Sequence, residues 1–201
     1  MGDGAAFAHL LHNVTAHRYG IEIDASRAEQ ARASGIETLQ ANAMDVRCQT
    51  EAVSLLYLNP PYDSESGESN NQRLELVFLE HTYRWLRAGG VLLFVIPQLR
   101  LAKCARVLSE HFTDLRAFQL TEPSCAQYRQ IVVLATRRKR HSKVSDAVLL
   151  DRVRHLEALA TKAKLKTEDA PKKPSFVCSL YNYARRTTTM AFGAAQWDEE
   201  K

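Results

Sequence analysis

Leu55-Leu56-Tyr57-Leu58-Asn59-Pro60-Pro61-Tyr62-Asp63 is the stretch that decides how the rest of the chain is read. Four apolar or aromatic residues in a row, halted by Asn-Pro-Pro, predict a buried strand that runs into a rigid loop. Proline has no N–H to give a sheet, and each residue before a proline is pushed out of the helical region. Asn59 offers an amide carbonyl, Pro60 a backbone carbonyl beside a fixed φ, and Tyr62 a flat ring just beyond. Two acceptors and a stacking surface at a strand end suit a planar group that carries an NH2. An Asn-Pro turn on its own is ordinary punctuation, so the flanking sequence has to decide.

Before this stretch, Arg18-Tyr19-Gly20-Ile21-Glu22-Ile23-Asp24 alternates like a strand and ends in two acids, and a helix follows from Ser26 to Ala33 with Ser26 as its cap. Gly35 to Gln40 reads as the next strand, and Ala41-Asn42-Ala43-Met44-Asp45-Val46 as a turn leading to the strand from Val53 to Leu58. At the start, Gly2-Asp3-Gly4 feeds a helix whose Phe7, Leu10, Leu11 and Val14 recur at helical spacing. After it, Asp63 to Asn71 is polar and without period, the pattern of a surface loop beside the chemistry. Leu76, Phe78, Leu79, Tyr83 and Leu86 then stripe a helix that Ala88-Gly89-Gly90 should end. Val91 to Ile96 is a continuous apolar strand, Leu99 to His111 a helix, and Leu115–Leu120 and Gln130–Thr136 two closing strands. Strands alternating with helices, then a strand pair with no helical crossover, predict an α/β sheet whose last strand is antiparallel.

Asn59-Pro60-Pro61-Tyr62 behind an apolar strand resembles the motif of the amino-methyltransferases, a branch of the class I S-adenosylmethionine-dependent methyltransferases that includes DNA adenine-N6 enzymes. The resemblance runs over residues 2 to 138 and is densest from Gly20 to Ile96. It implies a Rossmann-like sheet with helices on both faces. Gly2, Asp3 and Gly4 look like the second half of the glycine turn through which the backbone approaches S-adenosylmethionine. Glu22 matches the acid that accepts from the ribose hydroxyls, with Asp24 the lesser candidate. Asn42, or else Asp45, stands where the adenine of the cofactor is held. Asn59 and the Pro60 carbonyl would accept from the target amino group, Pro61 completes the motif, and Tyr62 would stack on the target base. The family's first strand should end just before Gly2, so the expected sheet is missing its first strand and the cofactor pocket a wall.

The chain's 201 residues fit one catalytic domain and an appendage. We expect the methyltransferase domain at 1–138 and a basic helical extension at 139–201. Residues 137–201 hold 15 Lys+Arg against 8 Asp+Glu, whereas residues 1–136 hold 12 against 15, so the net charge of +4 hides a positive tail. Val144 to Lys166 reads as a charged helix striped by Val148, Leu149, Val153, Leu156 and Leu159. Beside the Asn59 motif this basic run is expected to contact phosphates, which makes nucleic acid the expected partner, DNA before RNA. Cys48, Cys104, Cys125 and Cys178 are scattered and His9 and His12 have no acidic partner nearby, so neither a disulfide framework nor a metal is expected. No apolar run approaches the roughly 20 residues of a membrane span, so a soluble, cytoplasmic protein is expected. The expected activity is transfer of a methyl group to an exocyclic amino group, adenine N6 in DNA first. The alternatives are an RNA adenine, a protein glutamine, or an inactive nucleic-acid-binding fragment.

Overall fold

The structure, a computed structural model, describes residues 2–61, 74–120, 129–139, 146–162 and 197–199. Tyr62, the polar stretch 63–71 and most of the basic tail lie outside them. The unbroken apolar run Val91–Ile96 forms the heart of the longest strand, β5 (Leu86–Pro97). It is paired in parallel with β4 (Val53–Leu58), Leu55 facing Val91 and Leu58 facing Phe94. On its other side it runs antiparallel to β7 (Gln130–Arg137), which is antiparallel in turn to β6 (Phe112–Gln119). The order is therefore β4-β5-β7-β6, with the expected antiparallel last pairing. A separate parallel pair joins β1 (Tyr19–Glu22) to β2 (Glu37–Gln40).

Side chains two apart on a strand share a face, and this divides the core. Leu92, Phe94 and Ile96 pack with Ile131, Val133 and Ala135 beneath α3 (Leu74–Thr82), α4 (Leu101–His111) and α5 (Asp146–Thr161). Leu93 and Val95 point the other way, where Leu10 of α1 (Ala5–Leu10) and Tyr57 cover them. Helices thus lie on both faces of the sheet, and α2 (Ala25–Ala33) packs on β1 and β2. The two sheets meet through α1. Phe7 and Leu11 contact Ile36 before β2 on one side and Leu55 and Tyr57 of β4 on the other. Among the described residues no strand joins β1 to β4.

Four details depart from the sequence expectations. The chain leaves α3 through a 3-10 turn at Tyr83–Trp85 and is already in β5 at Leu86, so Ala88-Gly89-Gly90 lies inside a strand. The glycines serve an irregularity there: pairing jumps from Val53–Leu86 to Leu55–Val91, Gly89 has φ +77°, and a Cβ on Gly90 would meet Leu86 Cδ1 at 2.7 Å. Helix α2 is capped by Asp24 and not Ser26, because extended Asp24 accepts from the Arg27 N–H at 2.8 Å. Val46 opens a short strand, β3 (Val46–Cys48), antiparallel to β8 (Trp197–Glu199). On α5 the apolar stripe begins at Leu149, since Val148 is 45% exposed while Leu156 and Ala160 enter the main core. Among the described residues no helix is long and apolar enough to cross a membrane, and no group of His, Cys, Asp and Glu is placed to hold a metal.

Candidate active site

Parallel strands deliver their carboxyl ends to one edge of a sheet, which is where open α/β folds bind ligands. Here that edge borders a cavity of about 820 Å3 between β1 and β4. Glu22 arrives on β1, Ala41 to Met44 follow β2, Asn59-Pro60-Pro61 follow β4, and Gly2 comes from the turn before α1. The cavity continues along β4 past Leu55 and Leu56 to Phe78 and Trp85, so its far part is apolar.

Glu22 is only 5% exposed. Its Oε2 accepts the Gly2 N–H at 2.6 Å, its Oε1 accepts the Asp24 N–H at 3.1 Å, and the Arg27 guanidinium stands 2.9 Å from Oε1. Burial pushes the carboxyl up, but hydrogen bonds, among them those from the Gly2 and Asp24 N–H groups, outweigh it and bring the pKa from 4.5 down to about 2. The group is a fixed anion at neutral pH. Asp24 spends Oδ1 on its cap, which leaves Glu22 as the acid that faces the cavity.

The Gly-Asp-Gly turn divides its labour. Gly2 lines the cavity at φ +74°, with nothing within 4 Å of where a Cβ would stand. Gly4 does not line it; its φ is +78° and a Cβ would meet Ile36 Cδ1 at 2.6 Å, so this glycine lets the turn pack on β2 and α2. Asp3 is exposed and accepts the Ala5 N–H at 3.0 Å, bracing the start of α1.

After β2, Asn42 lines the cavity and Asp45 does not. The Asn42 side-chain oxygen, Oδ1, accepts from the Met44 N–H at 3.1 Å, folding the turn so that Ala43 and Met44 also face the cavity. Ile23, 65% exposed between the two acids, lines it too. Sequence reasoning passed over Ile23 and Met44. The available signal was an apolar residue left uncovered at the end of a strand.

Asn59 is exposed at the end of β4, Pro60 is buried and Pro61 exposed, and all three line the cavity. Tyr57, two residues back on the same side of the strand, hydrogen-bonds the Asn59 side chain; burial raises the Tyr57 pKa and this bond partly opposes the rise. That bond holds the Asn59 amide against Tyr57, and an amide brings both a carbonyl acceptor and NH2 donors to the cavity. The Tyr57 ring is stacked on Phe7, with centroids 6.0 Å apart. Tyr62 lies outside the described residues.

A sheet covered on both faces, with an acid at the end of one strand and Asn-Pro-Pro at the end of another, both on one cavity, defines the class I methyltransferase fold. Two solved structures share it. One is a candidate class I S-adenosylmethionine-dependent methyltransferase from Listeria monocytogenes, with TM-score 0.56 and 14% identity, covering 79% of this chain and 62% of that one. The other is a predicted O-methyltransferase from Agrobacterium tumefaciens, with TM-score 0.51 and 19% identity, covering 78% of this chain and 86% of that one. The chain thus spans under two thirds of the Listeria protein. No curated protein matches it. The chain belongs to the uncharacterised methyltransferase family DUF6094, which it matches over residues 1–170.

Proposed function

We propose that this protein transfers a methyl group from S-adenosylmethionine to an exocyclic amino nitrogen, adenine N6 in DNA before other acceptors. The observation that carries the reading is the single cavity that gathers Gly2, Glu22, Asn42–Met44 and Asn59-Pro60-Pro61. Its donor set fits the cofactor. Glu22 is ionised, so its carboxylate oxygens suit ribose hydroxyls as acceptors. Ile23, Ala43 and Met44 offer apolar surface for a purine, and Gly2 leaves room for a close approach. When bound, the cofactor supplies an electrophilic methyl group.

The chain's own residues then have one task, which is to present the nitrogen. The Asn59 carbonyl and the Pro60 carbonyl accept from its two N–H groups, which draws the lone pair out of conjugation and stabilises the positive charge that develops, until one N–H proton is lost to solvent. Pro60 and Pro61 hold these acceptors still by fixing φ. A duplex base would have to be flipped to reach them. The basic residues from 137 onward favour nucleic acid over a free metabolite. A glutamine side chain carries the same planar amide NH2 and is the second acceptor to test.

The test is product analysis on adenine-containing DNA, adenine-containing RNA and a glutamine peptide, with Asn59→Ala beside the wild type. Methyl on adenine N6 and a loss of about 100-fold or more in kcat for Asn59→Ala, at unchanged cofactor affinity, is the expected result. Methyl on carbon or oxygen, or full activity in Asn59→Ala, would overturn the reading.

A further inference from the structure

In the four-stranded sheet β6 is the edge opposite β4, and there it encloses with α5 a second cavity, of about 630 Å3. Its floor is apolar, from Leu101, Phe112, Leu115 and Leu156. Among the described residues its rim carries Arg116, Arg138, Arg152 and Arg154, with His155, against Asp114 and Asp151. Arg138 lies just past the end of β7 and Arg152 stands on α5. Among the described residues the Arg138 Nε and the Arg152 Nη1 are both buried without a hydrogen-bond partner. Burial first, and then the charge of Arg152, push the Arg138 guanidinium pKa down, while Asp114 pulls the other way. The two guanidiniums are therefore close enough to repel.

Like charges held together with buried N–H groups unmade are a cost to the fold. An oxyanion between them would remove the repulsion and satisfy the donors at once. A phosphate suits the arrangement better than a carboxylate. Its oxygens point in several directions and can take one fork from β7 and another from α5, whereas a planar carboxylate matches a single fork. The cavity is larger than a phosphate group alone, and its apolar floor can cover a sugar or a base. Arg137-Arg138-Lys139-Arg140 continues the positive charge beyond the rim in sequence.

We propose that the cleft between β6 and α5 is a binding site for the backbone phosphates of a nucleic-acid strand, separate from the cavity that holds the target base. It rests on nucleic acid being the acceptor. Binding measured without any methyl donor, and again in Asn59→Ala protein, separates failure of the cleft from failure of methyl transfer. The experiment titrates the full chain with a fluorescent single-stranded oligonucleotide over a range of salt. Replacing Arg138 and Arg152 together by Gln should flatten the slope of log affinity against log salt by about 1.4, some 0.7 for each phosphate that is no longer neutralised. Arg32→Gln with Arg106→Gln, at exposed positions elsewhere, should leave the slope as it is. Lysine at 138 and 152 keeps the charge, and should keep most of the slope even where the Gln pair proves unstable. Equal slopes for wild type and the folded Gln pair, or a flat slope in the Lys pair, would overturn the site. A nucleoside monophosphate that binds as tightly as the oligonucleotide would overturn the strand in favour of a small phosphorylated ligand.

Discussion

Tyr57 and Glu22 show how single side chains set the chemistry at this cavity. Tyr57 lines the cavity and ties down the Asn59 amide through its hydroxyl. Tyr57→Phe keeps the ring on Phe7 and removes only the hydroxyl, so stability should change by less than about 1 kcal/mol. The released amide should lower kcat several-fold with KM unchanged, read from steady-state kinetics. Glu22 makes a prediction about acid. Its folded pKa of about 2 lies below its ordinary 4.5, so it stabilises the fold fully above the ordinary value and loses that contribution as pH falls toward 2. Melting curves of wild type and Glu22→Gln should differ most near neutral pH, wild type being the more stable, and converge as the solution is acidified through that window. A gap that widens in acid would contradict the hydrogen-bonding seen around the carboxylate.

At the scale of elements, a buried side chain just after β5 ties down the C-terminal end of helix α5. Gln98 is fully buried, and its amide donates to the carbonyls of Leu159 at 2.7 Å and Lys162 at 2.9 Å, the unsatisfied end of the helix. Arg129 adds a bond to the Gln98 carbonyl at 3.1 Å and another to Lys162 O at 3.0 Å. Gln98→Leu conserves bulk but removes both bonds, leaving the Leu159 carbonyl only the 3.4 Å bond from the Lys162 N–H and the Arg129 guanidinium one acceptor fewer, so it should cost about 2 kcal/mol. Amides of α5 should exchange faster in hydrogen-exchange measurements while those of β5 and β7 hold. The loss should fall on α5 because Gln98 and Arg129 hold its C-terminal end by hydrogen bonds, whereas Val153, Leu156, Leu159 and Ala160 hold it by apolar packing.

At the scale of the molecule, the sheet stands in two parts and the 820 Å3 cavity lies between them. The four-stranded part is broad and buried; the β1–β2 pair rests on α2 and α1. A ligand that touches both parts should therefore steady the smaller one more. With S-adenosylhomocysteine present at about 100 times its Kd, amides of residues 19–22 and 37–44 should gain about 100-fold protection. Amides of Leu92–Ile96 should change little. Equal gains in both parts would mean that the two sheets open as one unit.

The sequence by itself determined most of the strands and helices and the Asn-Pro-Pro corner, because side-chain period and proline sterics act locally; it missed β3 and β8 and carried α3 on to Gly90, where the chain is already in β5. Val91–Ile96 could only be a strand buried on both faces, and Pro60 and Pro61 could only end β4. It also picked out Glu22 and Asn59 as polar residues at strand ends. The tertiary structure alone decided which neighbours shared the cavity, since that depends on contacts between distant segments. Asp3, Gly4 and Asp45 stand one or two residues from cavity residues, yet a bond to the Ala5 N–H, a close packing against Ile36 and a turn take them elsewhere. Gly2 met Glu22 across 20 positions and Gln98 met Lys162 across 64. No local pattern carries a partner so far along the chain, and burial between them is what makes each contact bind.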